Sequence, residues 1–312
     1  MTKDKLFVIP NFEEEAEMLE WAGVSFGEEN TFRLSKSIKR LAVMSGADSL
    51  LFSGKIYGTK CDYWVACGRL NQAEETPSDK IVEPRGSGIN SLVYWVTDNL
   101  LNDWIQLPDC RPEWINQARL IKHIFTGDLN AEVDCNPQFE GKERHLLRAT
   151  LARIFAATAI VPTKMFTMDD ETNEMKFDEE FVMPDTETLK ALTEWGNVHQ
   201  IILKAGRTTI LQPDANPNDP EFDPEAALAA MQEADPTVDR FRDLEQHDPI
   251  SEGQPAWISK VVGDTQLYNQ APPKEGTVSY AVNVIKSLRW PGAITVSKGG
   301  KFTTIYVGYG LK

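Results

Sequence analysis

The C-terminal stretch from Leu288 to Lys312 restricts the fold more than any other part of the chain, because it carries two β-rich runs around a glycine-rich turn. Ala293 to Ser297 and Phe302 to Tyr309 are rich in β-branched and aromatic residues. Between them, Lys298-Gly299-Gly300-Lys301 can supply the positive φ angles of a tight turn. The stretch therefore predicts an antiparallel hairpin.

Two further strands are predicted before this hairpin, from Ala256 to Val262 and from Val278 to Leu288. Along the second, apolar residues alternate with polar or small ones, which is typical of a strand with one buried face. Successive strands with short links favour an antiparallel meander.

A second hairpin is predicted from Leu50 to Tyr57 and from Asp62 to Leu70, with its turn at Gly58-Thr59-Lys60. After it, Gln72 to Gly88 is polar and contains prolines and glycines, which indicates an exposed loop. Ser91 to Thr97 predicts a further strand.

Two helices are predicted near the N-terminus. Asn11 is expected to cap the first, which Gly23 ends, and Asn30 is expected to cap the second, which Gly46 ends. The second helix carries a basic outer face, for which a solvated surface is the simpler interpretation and docking of an acidic partner is the alternative. The residues of this basic face are Arg33, Lys36, Lys39 and Arg40.

The central region predicts two more helices. Pro112 occupies the first position of a helix from Glu113 to Phe125. The strongest helical pattern in the chain runs from Lys142 to Ile160 and is terminated by Pro162. Its alanines would let a neighbour approach closely, so we expect it to be buried against a sheet.

Two acidic stretches follow, Asp169 to Glu187 and Pro213 to Glu252. Acidic, proline-containing segments of this kind are typical of solvated loops or linkers. A helix is predicted between them near Thr186 to Trp195, and a strand near His199 to Lys204. A short helix is predicted within the second stretch, from Pro224 to Glu233.

Helices and strands occur in blocks rather than in strict alternation, which favours an α+β fold. We expect an antiparallel sheet, including a C-terminal meander, packed with several helices and bearing long acidic loops. We expect an N-terminal helical segment at residues 1–48 and a hairpin with helices, which begins the core domain, at residues 49–168. Acidic loops with a short helix and strand are expected at residues 169–253. A meander at residues 254–312 is expected to complete the core.

The formal net charge of −15 disfavours sequence-independent binding to nucleic acid, which needs a basic surface, and equally disfavours an anionic membrane. The apolar runs are too short to span a bilayer, and the N-terminus lacks the features of a signal peptide, so we expect a cytosolic location. The four cysteines show no zinc-binding spacing, which favours free thiols.

Sequence motifs indicate no catalytic, cofactor-binding or metal site. Gly86-Ser87-Gly88 precedes a predicted strand rather than a helix, and Gly299-Gly300-Lys301 is followed by Phe302 where a phosphate-binding loop needs Ser or Thr. One acidic run loosely mimics a calcium loop but has Glu174 where glycine is required. The calcium-like positions are Asp169, Glu171, Asn173 and Glu180.

Several sequence blocks occur together in an order that is more specific than any one of them. They are Trp21 to Val24, Phe52 to Gly58 with Asp62 to Ala66, Arg119 to Gly127, Leu147 to Thr158, and Leu288 to Gly292 with Ile305 to Gly310. Over nearly the whole chain, this ordered set resembles the radial spoke head proteins of motile cilia, of the four/six type.

A shorter relative, the nine-type spoke head protein, shares the first hairpin and the C-terminal ending, and the Leu147 to Thr158 helix favours the four/six type over it. The sequence departs from the family at Ser53, where a Trp is usual, and at Cys67, where an acidic residue is usual.

The resemblance implies a non-enzymatic structural subunit of the radial spoke head, located in the axoneme of a cilium or flagellum and without a cofactor. Its implied partners are a second four/six-type copy or paralogue, a nine-type subunit and MORN-repeat subunits. It also implies transient contact with projections of the central pair, which the spoke transmits to the dynein arms to regulate beating. The alternatives are a cytosolic enzyme whose site forms only in three dimensions and an adaptor outside cilia.

Two sets of residues are candidates for contact with partners. The candidate structural or interface anchors are Trp21, Trp64, Trp290, Tyr306 and Tyr309. The candidate partner-facing acidic residues are Asp169, Asp170, Glu171, Asp178, Glu179 and Glu180.

Overall fold

The structure, a computed structural model, describes residues 11–70, 82–86, 88–168, 175–198, 202, 220, 222–226, 242–263 and 281–312. Its main helices are α1 (Phe12–Trp21), α2 (Glu28–Ser45), α3 (Pro112–Leu120) and α4 (Glu143–Thr158). The first strands are β1 (Ala47–Ile56), β2 (Tyr63–Leu70), β3 (Val93–Thr97) and β4 (Ile105–Gln106). Short strands follow: β5 (Ile160–Pro162), β6 (Phe166–Met168), β7 (Met175–Phe177) and β8 (Trp195–Asn197). The last strands are β9 (Trp257–Val262), β10 (Val282–Ser287), β11 (Ala293–Lys298) and β12 (Lys301–Gly308).

An eight-stranded sheet organises these elements, with the order β4-β3-β2-β1-β12-β11-β10-β9. Each half is an antiparallel meander of consecutive strands, so both predicted hairpins and the C-terminal meander are confirmed. The halves join through one parallel pair, β1 with β12. The predicted α+β class is confirmed, whereas the parallel pair was not predicted.

The parallel seam depends on Gly54. This residue follows a register shift in β1, pairs with Tyr306 and has a φ of 130°. A Cβ atom at this position would lie 1.9 Å from the Tyr306 carbonyl oxygen. Only glycine combines the backbone conformation with this close approach.

Helices cover both faces of the sheet. One face packs under α3 and α4, and Leu147, Ala149 and Ala152 of α4 are fully buried there, which confirms the predicted burial of this helix. The opposite face packs under α1 and α2 through residues such as Leu19 and Leu34. The fold is thus a helix–sheet–helix sandwich.

A smaller cluster lies beside the C-terminal meander. The short strands β5 and β8 pair with each other, and Trp195 of β8 is fully buried against Ile285 of β10 and its neighbours. The Trp195 indole N–H donates to the Leu189 carbonyl oxygen at 2.8 Å. Through this cluster, the segment that lies between the two acidic stretches packs against the main sheet.

Two helix predictions were wrong in detail. Helix α2 begins after Gly27, whose φ of 77° turns the chain into the helix, and Asn30 lies inside it with its side-chain amide donating to the Phe26 carbonyl oxygen. Helix α3 ends at Leu120 because Ile121 is extended.

The helix predicted near Thr186 to Trp195 was also wrong. Its residues instead form 3₁₀ turns at Thr188–Lys190 and Leu192–Glu194, followed by β8. Other predicted elements fall largely outside the described residues. Only Ile202 of the His199 to Lys204 strand is described, and residues 224–226 of the Pro224 to Glu233 segment are helical.

Candidate functional site

The C-terminal hairpin brings several candidate anchors to one part of the sheet. In its turn, Lys298 pairs with Lys301, and Gly299 and Gly300 have φ angles of 57° and 80°. Two successive positive φ angles match the twist of the flanking strands, as the sequence predicted.

Trp290 lies at the entrance to this hairpin and is buried, with only 2% of its surface exposed. The guanidinium carbon of Arg153 on α4 lies 5.3 Å from the centre of its ring, within cation–π distance. The following bend requires Gly292, because a Cβ there would lie 2.2 Å from the Val307 carbonyl oxygen. Trp290 therefore lies in the core between the sheet and α4.

Tyr306 and Tyr309 occupy contrasting environments. The Tyr306 ring is buried, its hydroxyl accepts a hydrogen bond from the Gly310 amide at 2.9 Å, and burial raises its pKa. Tyr309 is 53% exposed, and its ring packs against Tyr57 with a centroid distance of 5.2 Å. Of the five candidate anchors, Tyr309 is thus the one classed as exposed.

Trp64 lies on the opposite face of the sheet, in an aromatic cluster with Phe26 and Phe52 at centroid distances of 5.6 Å and 6.1 Å. The Lys55 ammonium lies 4.7 Å from the Trp64 ring centre and pairs with Asp62 at 2.8 Å. This arrangement buries the indole while a charged side chain covers its outer side.

Trp21 is half-buried at the end of α1, and the Lys298 ammonium lies 3.5 Å from its ring centre. The structure therefore places Trp290 and Tyr306 in one cluster and Trp64 and Trp21 in another, with Tyr309 outside both. Their role as interface anchors stays a prediction.

The candidate acidic residues are described only in part, since Asp169, Asp170 and Glu171 lie outside the described residues. Glu179 and Glu180 are exposed, and an Asp178 carboxylate oxygen accepts from the Glu180 amide at 2.9 Å. Two exposed apolar side chains flank this acidic turn, Phe177 and Val182.

Glu143 lies at the start of α4 and is fully buried. Its carboxylate accepts from the Tyr63 hydroxyl at 2.7 Å, the Thr126 amide and hydroxyl at 2.8 Å, and the Gly127 amide at 2.9 Å. Burial and the neighbouring carboxylate hold the Tyr63 pKa well above its usual range. The arrangement satisfies donors from two other segments, at Tyr63 and at Thr126 to Gly127, and ties the first hairpin to α4.

Arg148 forms a second buried polar cluster one turn further along α4. Its guanidinium donates to the Ile89 carbonyl and the Asn90 side-chain oxygen at 3.0 Å and stacks over the Tyr94 ring at 4.7 Å. Burial raises the pKa of the nearby Glu83 carboxyl to about 7.

Burial also limits the reactivity of the cysteine thiols and of the Glu143 carboxylate. Burial raises the pKa of both the Cys67 and Cys110 thiols to about 11, which keeps them protonated and weakly nucleophilic near neutral pH. The Glu143 oxygens are occupied by internal donors. These groups therefore join elements of the fold rather than face an open cleft.

Among the described residues, no group of three or more His, Cys, Asp or Glu side chains is placed to hold a metal ion. In the part of the chain that the structure describes, none of the helices has both the length and the apolar character needed to cross a bilayer.

Sequence reasoning missed Glu143, Arg148 and Gly54. A glutamate in the first turn of a helix is ordinarily a surface residue that favours the helix dipole, so Glu143 carries no distinguishing signal. The glycine after Ser53 could have suggested a bulge or a close backbone approach inside a strand.

A model of the radial spokehead-like protein family matches the chain over residues 2–81 and 72–312. Flagellar radial spoke protein 4 of Chlamydomonas reinhardtii is 29% identical to the chain, with 95% of the chain and 66% of that protein aligned. Radial spoke head protein 6 homolog A of Xenopus tropicalis is also 29% identical, with 97% and 66% aligned.

Radial spoke head protein 4 homolog A of Homo sapiens is 28% identical, with 97% of the chain and 48% of that protein aligned. The chain thus spans just under two thirds of the length of the first two relatives and about half of the human one.

Proposed function

The chain belongs to the radial spokehead-like protein family, and on that basis we propose that it is a structural subunit of the radial spoke head in the axoneme of motile cilia or flagella. The observation that carries the proposal is the extent of the family match, which includes both meanders of the sheet and the seam between them. The matched region is therefore the whole architecture and not one motif.

The fold suits a rigid structural subunit. Helices cover both faces of the sheet, the buried carboxylate of Glu143 accepts from several donors within the chain, and the guanidinium of Arg148 donates to the Ile89 carbonyl and the Asn90 side-chain oxygen. Such a body transmits contact at one surface to another with little internal rearrangement.

The partners that we propose are other spoke head subunits: a second four/six-type copy or a paralogue, a nine-type subunit and MORN-repeat subunits. Transient contact with central-pair projections would then pass through the spoke to the dynein arms and regulate beating. The exposed ring of Tyr309 supports a subunit contact beside the C-terminal hairpin, because tyrosine is a favoured interface residue.

Axoneme fractionation tests the proposal. The chain is tagged in a flagellated cell that expresses it, axonemes are isolated and extracted with salt, and the tagged chain is pulled down. We expect it to co-purify with radial spoke head subunits. Recovery in the soluble cell extract, with none in the axoneme, would contradict the proposal.

The acidic turn provides a finer test. We propose that its charge tunes a transient contact, since exposed charges affect encounter and release more than assembly. Reversal of three charges, at Asp178, Glu179 and Glu180, should change beat frequency while the spoke heads still assemble.

A control variant reverses three exposed acidic residues elsewhere and changes net charge equally: Glu132→Lys, Asp134→Lys and Glu140→Lys. Equal effects of the two variants, or loss of assembly in the first, would count against the role of the acidic turn.

A further inference from the structure

The outer face of α2 has a charge opposite to that of the chain as a whole. From Asn30 to Gly46 the sequence contains no Asp or Glu, although the chain carries a net charge of −15. The structure leaves the basic residues of this helix exposed at successive helical positions. They are Arg33, Lys36, Lys39 and Arg40.

The four basic residues on this face differ in whether they form ion pairs. Arg33 pairs with Glu29 at 2.5 Å, and Arg40 lies 3.9 Å from Asp103. Lys36 and Lys39 form no ion pair with a described residue. These two lysines are therefore the cations most available to an external carboxylate.

Apolar side chains adjoin the same face. Val43 and Met44, in the last turn of α2, are 85% and 65% exposed, and Leu101, whose carbonyl oxygen accepts from Arg40, is 62% exposed. Large apolar side chains grouped on a surface beside charged ones are typical of an interaction site.

A cleft of about 250 Å³ lies within this group, between the C-terminal half of α2 and the sheet edge formed by β3 and β4. Met44, Trp95 and Trp104 supply its apolar lining. Its walls are fixed, because the Trp104 indole N–H donates to the Ser37 hydroxyl at 2.8 Å. On the other side, Arg40 donates to the Leu101 and Asn102 carbonyl oxygens.

We propose that this surface docks an acidic segment of another protein, with an apolar side chain of that segment in the cleft and its carboxylates facing Lys36 and Lys39. Charge complementarity favours this occupant, because the face is basic on an otherwise acidic chain. A concave apolar cleft accepts a side chain, whereas an anionic bilayer would meet the net charge of −15 around it. The proposal does not depend on the spoke-head role.

The test uses the full chain and a fluorescein-labelled synthetic helical peptide with Glu at most positions and Leu or Phe at i, i+4 spacing. Fluorescence anisotropy should show binding that weakens as salt increases. Lys36→Glu with Lys39→Glu should weaken it about tenfold or more, equivalent to about 1.4 kcal/mol. Val43→Ser with Met44→Ser should weaken it without removing the salt dependence.

The matched control is Lys190→Glu with Lys286→Glu, which reverses two exposed lysines on other elements and should leave affinity unchanged within about twofold. Circular dichroism confirms that each variant is folded. Three results would overturn the proposal: no peptide binding by the wild-type chain, equal weakening by the control, or binding to phosphatidylserine vesicles but not to the peptide. Self-association that Lys36→Glu with Lys39→Glu abolishes, without peptide binding, would instead assign the face to a second copy.

Discussion

Gly54 and Tyr306 pair across the parallel β1–β12 seam so closely that a Cβ atom on residue 54 would lie 1.9 Å from the Tyr306 carbonyl oxygen. This contact is the point at which the two antiparallel meanders become one sheet.

Gly54→Ala should destabilise the protein by about 3 kcal/mol or more, because it combines an unfavourable φ of 130° with a clash against backbone. Urea denaturation followed by fluorescence measures the change. Gly46→Ala is the control, since Gly46 has a φ of 65° with open space around it and should cost only about 1–2 kcal/mol. Equal losses in the two variants would show that the seam tolerates a side chain.

Trp290→Ala should cost about 3–5 kcal/mol, because it removes a buried aromatic side chain from between α4 and the sheet. Tyr309→Ala should cost less than about 1 kcal/mol of folding stability, since the residue is 53% exposed, but should weaken subunit assembly if Tyr309 is an interface anchor. Thermal unfolding measures the loss of folding stability in each variant, and co-purification with other subunits measures the loss of assembly. A loss below about 1 kcal/mol for Trp290→Ala, with intact assembly, would remove its structural role.

Glu143→Ala should cost about 3–5 kcal/mol, since it strands the buried donors of Tyr63, Thr126 and Gly127. Glu143→Gln keeps the shape and one acceptor oxygen, so it should lower the free energy of unfolding clearly less than Glu143→Ala does. Chemical denaturation of the two variants measures the difference. If Gln and Ala prove equally costly, the hydrogen bonds to the second oxygen carry the stabilisation.

Glu15 predicts a pH dependence of stability. Burial of α1 against the sheet raises the Glu15 pKa to about 7, and a Glu15 carboxylate oxygen accepts from the Thr303 hydroxyl at 3.2 Å. The folded state therefore holds a proton that the unfolded state has released, and the stability due to this group is full below about pH 4.3 and falls as pH rises to about 7.

Glu15→Gln removes this titration. The free energy of unfolding of the variant, relative to that of the wild-type chain, should increase by about 2 kcal/mol between pH 5 and pH 8. Urea denaturation at both pH values measures the comparison, in which other titrating groups cancel. A constant difference between the two proteins across this range would exclude Glu15 as the source.

Local patterns predicted most of the elements. Alternation and turn glycines identified β11 and β12 almost to the residue, and the alanine-rich pattern of α4 predicted its burial. These predictions were correct because strand pleat, helix period and turn conformation depend on residues that are neighbours in the sequence.

The remaining features depend on contacts between distant parts of the chain. The parallel pairing of β1 with β12 is set by tertiary packing, and the partners of Glu143 come from two separate segments, at Tyr63 and at Thr126 to Gly127. Near Trp195, side-chain hydrogen bonding and burial replaced a predicted helix with 3₁₀ turns and a strand. Propensity yields to such tertiary contacts.

The seam also has a consequence for synthesis. Strand β1 (Ala47–Ile56) is translated well before its sheet partner β12 (Lys301–Gly308). Until then the nascent N-terminal meander carries an unpaired β1 edge, the kind of surface that recruits other strands and promotes aggregation. Folding of the main sheet is therefore expected to finish only after β12 has been translated, and a premature stop codon before β12 would leave that edge permanently open.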